Sequence, residues 1–366
     1  MATASTCQFF TDFWSSRAHP IIFSPISKPS HFQSYSLTAN VSLQKNHSLS
    51  NPPLLVKAQA SINGKTQPMV PPYNVLITGS SKGIGYALAK NFLVADDNVI
   101  ICSRSAEGVE SAFKSLREEY GERVWGTQCD VRVAEDVKNL VLFAQKNLGY
   151  IDIWINNAGS NAYSYKPLAE ASDEDLIEVV STNTLGLMIC CREAIKMMLQ
   201  QPRGGHIFNI DGAGSDGRPT PRFAAYGATK RSVVHLTKSL QAELKMQDVK
   251  NVVIHNLSPG MVTTDLLMSG ATTKQVYYAS YASFVSSVYK RNFLIFCHFQ
   301  AKFFINVLAE PAEVVADYLV PNIRSIPASG SWKPTYIRFL TGLKAYSQIF
   351  SRLAFGARRN RYMLED

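Results

Sequence analysis

Asn74-Val75-Leu76-Ile77-Thr78-Gly79-Ser80-Ser81-Lys82-Gly83-Ile84-Gly85 is a short apolar run that ends in a glycine-punctuated turn and passes directly into helix-forming sequence. That order is a strand–turn–helix unit. Gly79 permits the tight turn, Gly83 lets a phosphate approach the backbone, and Gly85 lets helix and strand pack closely. The unsatisfied N–H groups of the first helical turn face the same place and favour an anion. Outward from this unit, further short apolar runs at 98–102, 123–128, 151–155, 206–210 and 251–257 alternate with stretches long enough for helices. Such alternation predicts an α/β chain with a parallel sheet covered by helices on both faces. The expected architecture is a doubly wound, three-layer Rossmann-type sandwich over 74–323, a single domain carrying an amphipathic C-terminal extension at 324–366.

About twenty residues past such a glycine turn, a site selective for NAD places an acid on the ribose 2′-hydroxyl. Here the chain reads Cys102-Ser103-Arg104-Ser105, with no carboxylate to repel a phosphate. NADP is therefore expected over NAD, with Arg104 and Lys82 pairing with its 2′-phosphate. The plain alternative for either cation is a solvated surface side chain. Asp130, at the end of the third strand, is placed to reach the adenine amino group.

Tyr226 and Lys230 stand four residues apart and share one helix face, so an ammonium can lie near a phenol. A free tyrosine titrates near 10, and lowering it by about three units takes on the order of 4 kcal/mol. Lys230 and an oxidised nicotinamide are the expected sources of that positive charge.

With Thr78–Gly85, Asn156-Asn157-Ala158-Gly159, Asn183, Tyr226-Gly-Ala-Thr-Lys230 and Pro259-Gly260 with Thr263 and Thr264 in place, residues 74–265 resemble the short-chain dehydrogenase/reductase superfamily. The resemblance implies that Tyr226 protonates a carbonyl oxygen as hydride reaches carbon. It also implies that Lys230 binds ribose hydroxyls and that Asn183 anchors a proton-relaying water. Cofactor contacts are implied for Gly79, Ser81, Lys82, Gly83, Ile84, Gly85, Arg104, Asp130, Asn157, Ala158, Gly159, Tyr226, Lys230, Pro259, Gly260 and Thr263. One departure stands out: the position thirteen residues before the tyrosine, where the family usually carries a catalytic serine, is Ala213. Ser215 is the nearest hydroxyl able to replace it, and Asp211 is the alternative group facing the site.

The loop Phe208-Asn-Ile-Asp-Gly-Ala-Gly-Ser215 and the stretch 309–323 resemble a plastid subgroup, the chlorophyll(ide) b reductases. That likeness implies NADPH-dependent reduction of the 7-formyl group of chlorophyll b or chlorophyllide b to a hydroxymethyl group. It further implies a sister reductase and a light-harvesting complex as partners. A plastid 3-oxoacyl-carrier-protein reductase is the alternative enzyme, and a catalytically silent pigment-binding scaffold is the alternative outside enzymes.

The net charge of +9 is unevenly spread. Residues 1–58 carry four basic and one acidic side chain, residues 324–366 carry eight and two, and the remainder is formally neutral. A neutral core speaks against nucleic acid. The first 58 residues, rich in Ser and Thr, nearly acid-free and without a long apolar run, have the composition of a plastid transit peptide, followed by a Pro-containing linker at 59–73. A destination-less disordered tail is the alternative. The expected location is the chloroplast, in the stroma or peripherally on the stromal face of the thylakoid membrane.

Six cysteines without C-x-x-C spacing are expected as reduced thiols, and the histidines lack ligand spacing, so no metal is expected. Residues 276–300 begin with Val, whose codons start GT, and end with Gln, one of whose codons is CAG, which suggests a retained intron or an error in the gene's exon assignment. A real apolar lid is the competing reading. Finally, Tyr336, Phe339, Leu340, Leu343, Tyr346, Phe350 and Leu353 fall on one face of a helix read from Pro334, with Arg338, Lys344 and Arg352 opposite. Such a helix either covers its own domain or docks on a thylakoid surface or a pigment–protein partner.

Overall fold

In the computed structural model the described residues are 69–162, 166–272 and 302–362. The expected transit segment, most of the linker and the suspected insertion at 276–300 lie outside them. Seven parallel strands form one sheet in the order β3-β2-β1-β4-β5-β6-β7. They are β1 (Asn74–Thr78), β2 (Asn98–Ser103), β3 (Val124–Gln128), β4 (Ile153–Asn156), β5 (Gly205–Ile210), β6 (Val252–Ser258) and β7 (Tyr336–Arg338). The first six match the apolar runs of the sequence to within two residues at every boundary. Alternate residues of β1 bury on opposite sides: Val75 and Ile77 join one core with Phe92, Phe208 and Leu319, while Leu76 joins the other with Trp154, Met197 and Ile254. A period of two on a sheet buried on both faces requires both sets to be apolar.

The helices that matter for the site are α1 (Gly83–Val94), α2 (Ala106–Tyr120), α3 (Ala134–Leu148), α4 (Asp173–Val180), α5 (Leu187–Gln200), α6 (Ala224–Met246), α7 (Asp265–Thr272), α8 (Ala312–Ala328) and α9 (Gly342–Phe355). Between α4 and α5, Ser181–Gly186 form a π-helical turn. The strand order reverses direction between β1 and β4, and in open α/β sheets ligands bind at the carboxyl ends of the strands beside such a switch point.

The expected boundary at residue 323 does not divide the structure. It falls inside α8, and Arg324 pairs with the fully buried Asp97 at 2.8 Å. β7 then pairs with β6 through Asn256↔Tyr336, Leu257↔Ile337 and Ser258↔Arg338, and Phe339 enters the core. The helix read from Pro334 accordingly begins only at Gly342. Tyr336, Phe339 and Leu340 belong to a strand and its exit, because pairing to an open sheet edge satisfies three residues of backbone that an isolated helical turn would leave to water. At the other end, Tyr73 and Met69 of the expected linker are buried, and Met69 N–H donates to Pro327 O at 3.1 Å.

Candidate active site

The turn between β1 and α1 is built as its glycines require. Gly79 and Gly83 have φ of +63° and +59°, a region that L side chains rarely adopt. A Cβ on Gly79 would stand 2.7 Å from Ala158 Cα. Ser80, wholly buried, donates from Oγ to Ile77 O (2.6 Å) and accepts from Cys102 N–H (3.0 Å), tying the turn to β1 and β2. From the far side, Asn157 Nδ2 donates to Thr78 O and Gly79 O, while the N–H groups of Asn157 and Ala158 donate to Thr78 Oγ1. Asn157 therefore spends its amide on holding the glycine turn. No side chain caps α1 at Lys82, so its first N–H groups remain for a ligand. A dinucleotide pyrophosphate fits this cradle: glycine at the close approaches and an open helix N-terminus.

Around the expected ribose and adenine subsites the cations are engaged. Lys82 Nζ pairs with Asp265 Oδ2 at 2.8 Å, both well exposed, and Gly83 lies against Thr264. Pro259 is buried, Gly260 has a φ of +72°, and Thr263 N–H donates to Glu310 O at 3.0 Å, which shapes this segment into a loop over the glycine turn. Ile84 packs against the core and Ser81 faces Gly108 at the start of α2. Arg104 Nη1 pairs with Glu178 Oε1 at 2.5 Å, and the other oxygen of Glu178 takes Arg132. Arg132 also forks onto both oxygens of Asp130, whose pKa is held down chiefly by that guanidinium. Glu178 on α4 was not anticipated from the sequence. It lies 74 residues beyond Arg104, and no local pattern points from one to the other.

Tyr226 and Lys230, the pair expected to react, both lie on α6. Lys230 Nζ is 5.7 Å from the centroid of the Tyr226 ring and donates to Ile210 O at 3.2 Å. A Cβ on Gly159 would come within 3.7 Å of Lys230 Nζ and 3.5 Å of Asn183 Oδ1, so Asn183, Gly159 and Lys230 meet at one point. Asn183, on the π-turn, accepts from Ser160 N–H (2.7 Å) and donates to Ser160 O (2.9 Å) and Thr229 Oγ1 (3.1 Å). Its side chain is committed to the chain leaving β4 and to α6. Burial pushes the Lys230 ammonium down to about 8, against an upward pull from Asp211. The Tyr226 phenol moves the other way, up from its usual value. Burial, followed by the charge of Asp211, raises it, because the phenolate is the form that loses solvation and meets a like charge.

The backbone of Gly212 runs against the Tyr226 hydroxyl. A Cβ on Gly212 would stand 2.5 Å from Tyr226 Oη. The loop beyond it folds down on α6, where Gly214 (φ +90°) lies against Gly227 with 2.8 Å between its ideal Cβ and Gly227 Cα. Ser215 is buried, its carbonyl held by Arg231 Nη1 at 2.8 Å and its hydroxyl beside Asp211 and Tyr336. Asp211 accepts a hydrogen bond from the Tyr336 hydroxyl of β7. Next to this loop an open cleft of about 490 Å³ is lined by Gly214, Arg218, Pro219, Pro221, Ala224 and Arg231.

A parallel sheet with a phosphate turn at its switch point, and a tyrosine and lysine one helical turn apart at the ends of β4 and β5, define a nicotinamide-type oxidoreductase fold. Residues 73–275 match the short chain dehydrogenase family, and the chain belongs to it. It is 74% identical over 314 residues to "Chlorophyll(ide) b reductase NOL, chloroplastic" of Arabidopsis thaliana, covering 86% of this chain and 83% of that protein. The rice protein of the same name is 74% identical over 299 residues, covering 81% and 80%. Among solved structures, a single-residue variant of actinorhodin polyketide ketoreductase with NADPH superposes with a TM-score of 0.59 at 26% identity, over 75% of this chain and 99% of that one.

Proposed function

We propose that this chain is an NADPH-dependent chlorophyll(ide) b reductase that converts the 7-formyl group of chlorophyll b or chlorophyllide b to a hydroxymethyl group. The observation that carries this reading is the Tyr226–Lys230 pair beside the glycine turn, in a chain 74% identical to proteins named for that activity. Gly79, Ser81, Gly83 and Gly85 with the start of α1 would hold the pyrophosphate, Arg104 and Lys82 the 2′-phosphate, and Lys230 the nicotinamide ribose. Ala158, Gly159, Pro259, Gly260 and Thr263 would frame the nicotinamide end. Bound NADPH supplies the hydride.

The chain supplies the proton. A buried phenol that keeps its proton is the form a reductase needs, since Tyr226 must donate to the oxygen of the reduced carbonyl. Lys230, an ammonium below about pH 8, stabilises the phenolate left behind and is the local source from which the proton is restored. Because both amide N–H groups of Asn183 are engaged, a water that relays protons to Lys230 would be held by carbonyl oxygens of the π-turn. Ser215, turned toward Asp211, is a less direct substitute for the family serine than its spacing suggests, and Gly212 brings bare backbone rather than a hydroxyl up to Tyr226. The aryl aldehyde of a large apolar ring would enter through the open cleft along 214–231.

The relatives are named chloroplastic, and the chain is assigned to the chloroplast. Peripheral contact with the thylakoid face is supported by α9. No residue of this helix is buried, and Leu343, Phe350, Leu353 and Phe355 are all more than 60% exposed. No helix among the described residues is long and apolar enough to span a bilayer. Incubation of the purified chain with NADPH and chlorophyllide b, with chromatography of the pigment, tests the activity. The expected result is the 7-hydroxymethyl product, abolished in Tyr226→Phe. NADPH consumption with a 3-oxoacyl thioester and none with the pigment would overturn it.

A further inference from the structure

The loop that carries the site also carries a buried carboxylate that the proton transfer described above does not use. Asp211 follows β5 directly, and its N–H continues the sheet by donating to Leu257 O at 2.9 Å. Its side chain is 2% exposed. One oxygen accepts from the hydroxyl of Tyr336, which β7 brings in from 125 residues away, and Oδ1 receives no hydrogen bond among the described residues. The groups that face it are Tyr336 from β7, Ser258 from the end of β6, Ser215 from its own loop, and Lys230 and Tyr226 from α6. Lys230 is the cation of that set, and geometry sets it there: its Nζ donates to the carbonyl of Ile210, the residue before Asp211, at 3.2 Å, and its stem lies against Gly212, the residue after.

A carboxylate and an ammonium buried apart would each shed its charge, whereas buried together each is the other's counter-charge. Gly212, the very next residue, runs so near Tyr226 that an added Cβ would stand 2.5 Å from its hydroxyl oxygen. Whatever fixes Asp211 therefore fixes the distance from this loop to Tyr226.

We propose that Asp211, clamped by Tyr336, is a positioning residue of the active site: it is the buried counter-charge of Lys230, and its clamp holds Gly212 against the Tyr226 hydroxyl. The C-terminal strand is thereby part of the catalytic apparatus. The proposal rests on Tyr226 and Lys230 being the reacting pair. It makes the charge of Asp211 and the clamp on it separable. Removing the charge lets both Lys230 and Tyr226 lose their protons at lower pH, because one loses an attractive partner and the other a repulsive one. Removing only the Tyr336 hydroxyl leaves the charge and loosens the loop.

The test uses the full chain and the variants Asp211→Asn, Asp211→Glu and Tyr336→Phe, with NADPH affinity and kcat on the formyl pigment measured from pH 6 to 10. In Asp211→Asn the alkaline midpoint of NADPH binding and of kcat moves down by about one pH unit, and Asp211→Glu restores most of that shift. In Tyr336→Phe the alkaline midpoint stays in place while kcat falls about tenfold with NADPH affinity retained. An unmoved alkaline midpoint in folded Asp211→Asn overturns the counter-charge, and wild-type kcat in Tyr336→Phe overturns the clamp. Should Asp211→Asn not fold, Asp211→Ser makes the same measurement with a smaller group that still accepts from Tyr336. The NADPH-binding arm needs no pigment. A wild-type chain that binds NADPH and leaves the pigment unreduced would defeat the functional reading, while the binding profile still decides the role of Asp211.

Discussion

Gly212 lies so close to Tyr226 that a single added carbon would stand 2.5 Å from the phenol oxygen. Contacts that short do not persist between unbonded atoms, so either the loop or the tyrosine must move. Gly212→Ala and Gly212→Ser should each lower kcat at least tenfold, since displacing the proton donor by even an ångström misaligns the transfer. NADPH affinity should hardly change, because the cradle at Gly79 and Gly83 lies on another loop. Steady-state kinetics beside a fluorescence titration of NADPH make the comparison, and a fully active Gly212→Ser would refute the crowding.

The alkaline side of the pH profile follows from burial of Lys230. Its ammonium is pushed down to about 8, so the protonated form is complete below that pH and is lost as pH rises through it. Turnover and NADPH affinity should both decline above about pH 8, and Lys230→Met should remove the pH dependence along with most of the affinity. A profile flat to pH 10 would contradict this.

With Arg104 proposed to take the 2′-phosphate, its ion pair with Glu178 sets up a competition. Its carboxylate is shared by Arg104 and Arg132, and a 2′-phosphate would have to take Arg104 from it. Glu178→Gln should therefore lower the KM for NADPH several-fold and leave that for NADH nearly unchanged, while Arg104→Ala should erase most of the preference for NADPH. Weaker NADPH binding in Glu178→Gln would mean instead that the carboxylate holds Arg104 in its working position.

The C-terminal region should divide functionally at Thr341. Removing residues from Pro334 onward deletes β7 and the buried Phe339, which alone contributes about 2–3 kcal/mol, and it opens the edge of β6. That truncation should lower Tm sharply or give insoluble protein. Replacing Leu343, Phe350 and Leu353 on α9 by serine should leave Tm within a few degrees, because none of them is buried, and should reduce binding to liposomes of thylakoid lipid composition. A large loss of Tm in the serine variant, with lipid binding unchanged, would assign α9 to the fold instead.

What the residues decided alone was whatever depends on neighbours along the chain. The glycine turn at 79–85, the six apolar strands and the shared helical face of Tyr226 and Lys230 are all written in periods of two or four residues, or in the backbone freedom of a glycine. They were legible for that reason. The charges at Lys82 and Arg104 were legible as charges, but their partners Asp265 and Glu178 were not, since an ion pair between elements leaves no local signature. The same holds for β7. Three residues carry no detectable period, and the large apolar residues around them suit a helical face equally well until the open edge of β6 is there to pair with them. The approach of Gly212 to Tyr226 was not legible in a count of residues, because a loop rich in glycine can bend at several places and only the fold decides which stretch of backbone meets the phenol. Asp211 shows the limit most plainly. Its identity was visible beside the site, but only the tertiary structure brings Tyr336 across 125 residues to bind it, because the energy of a buried carboxylate is settled by what the fold places around it.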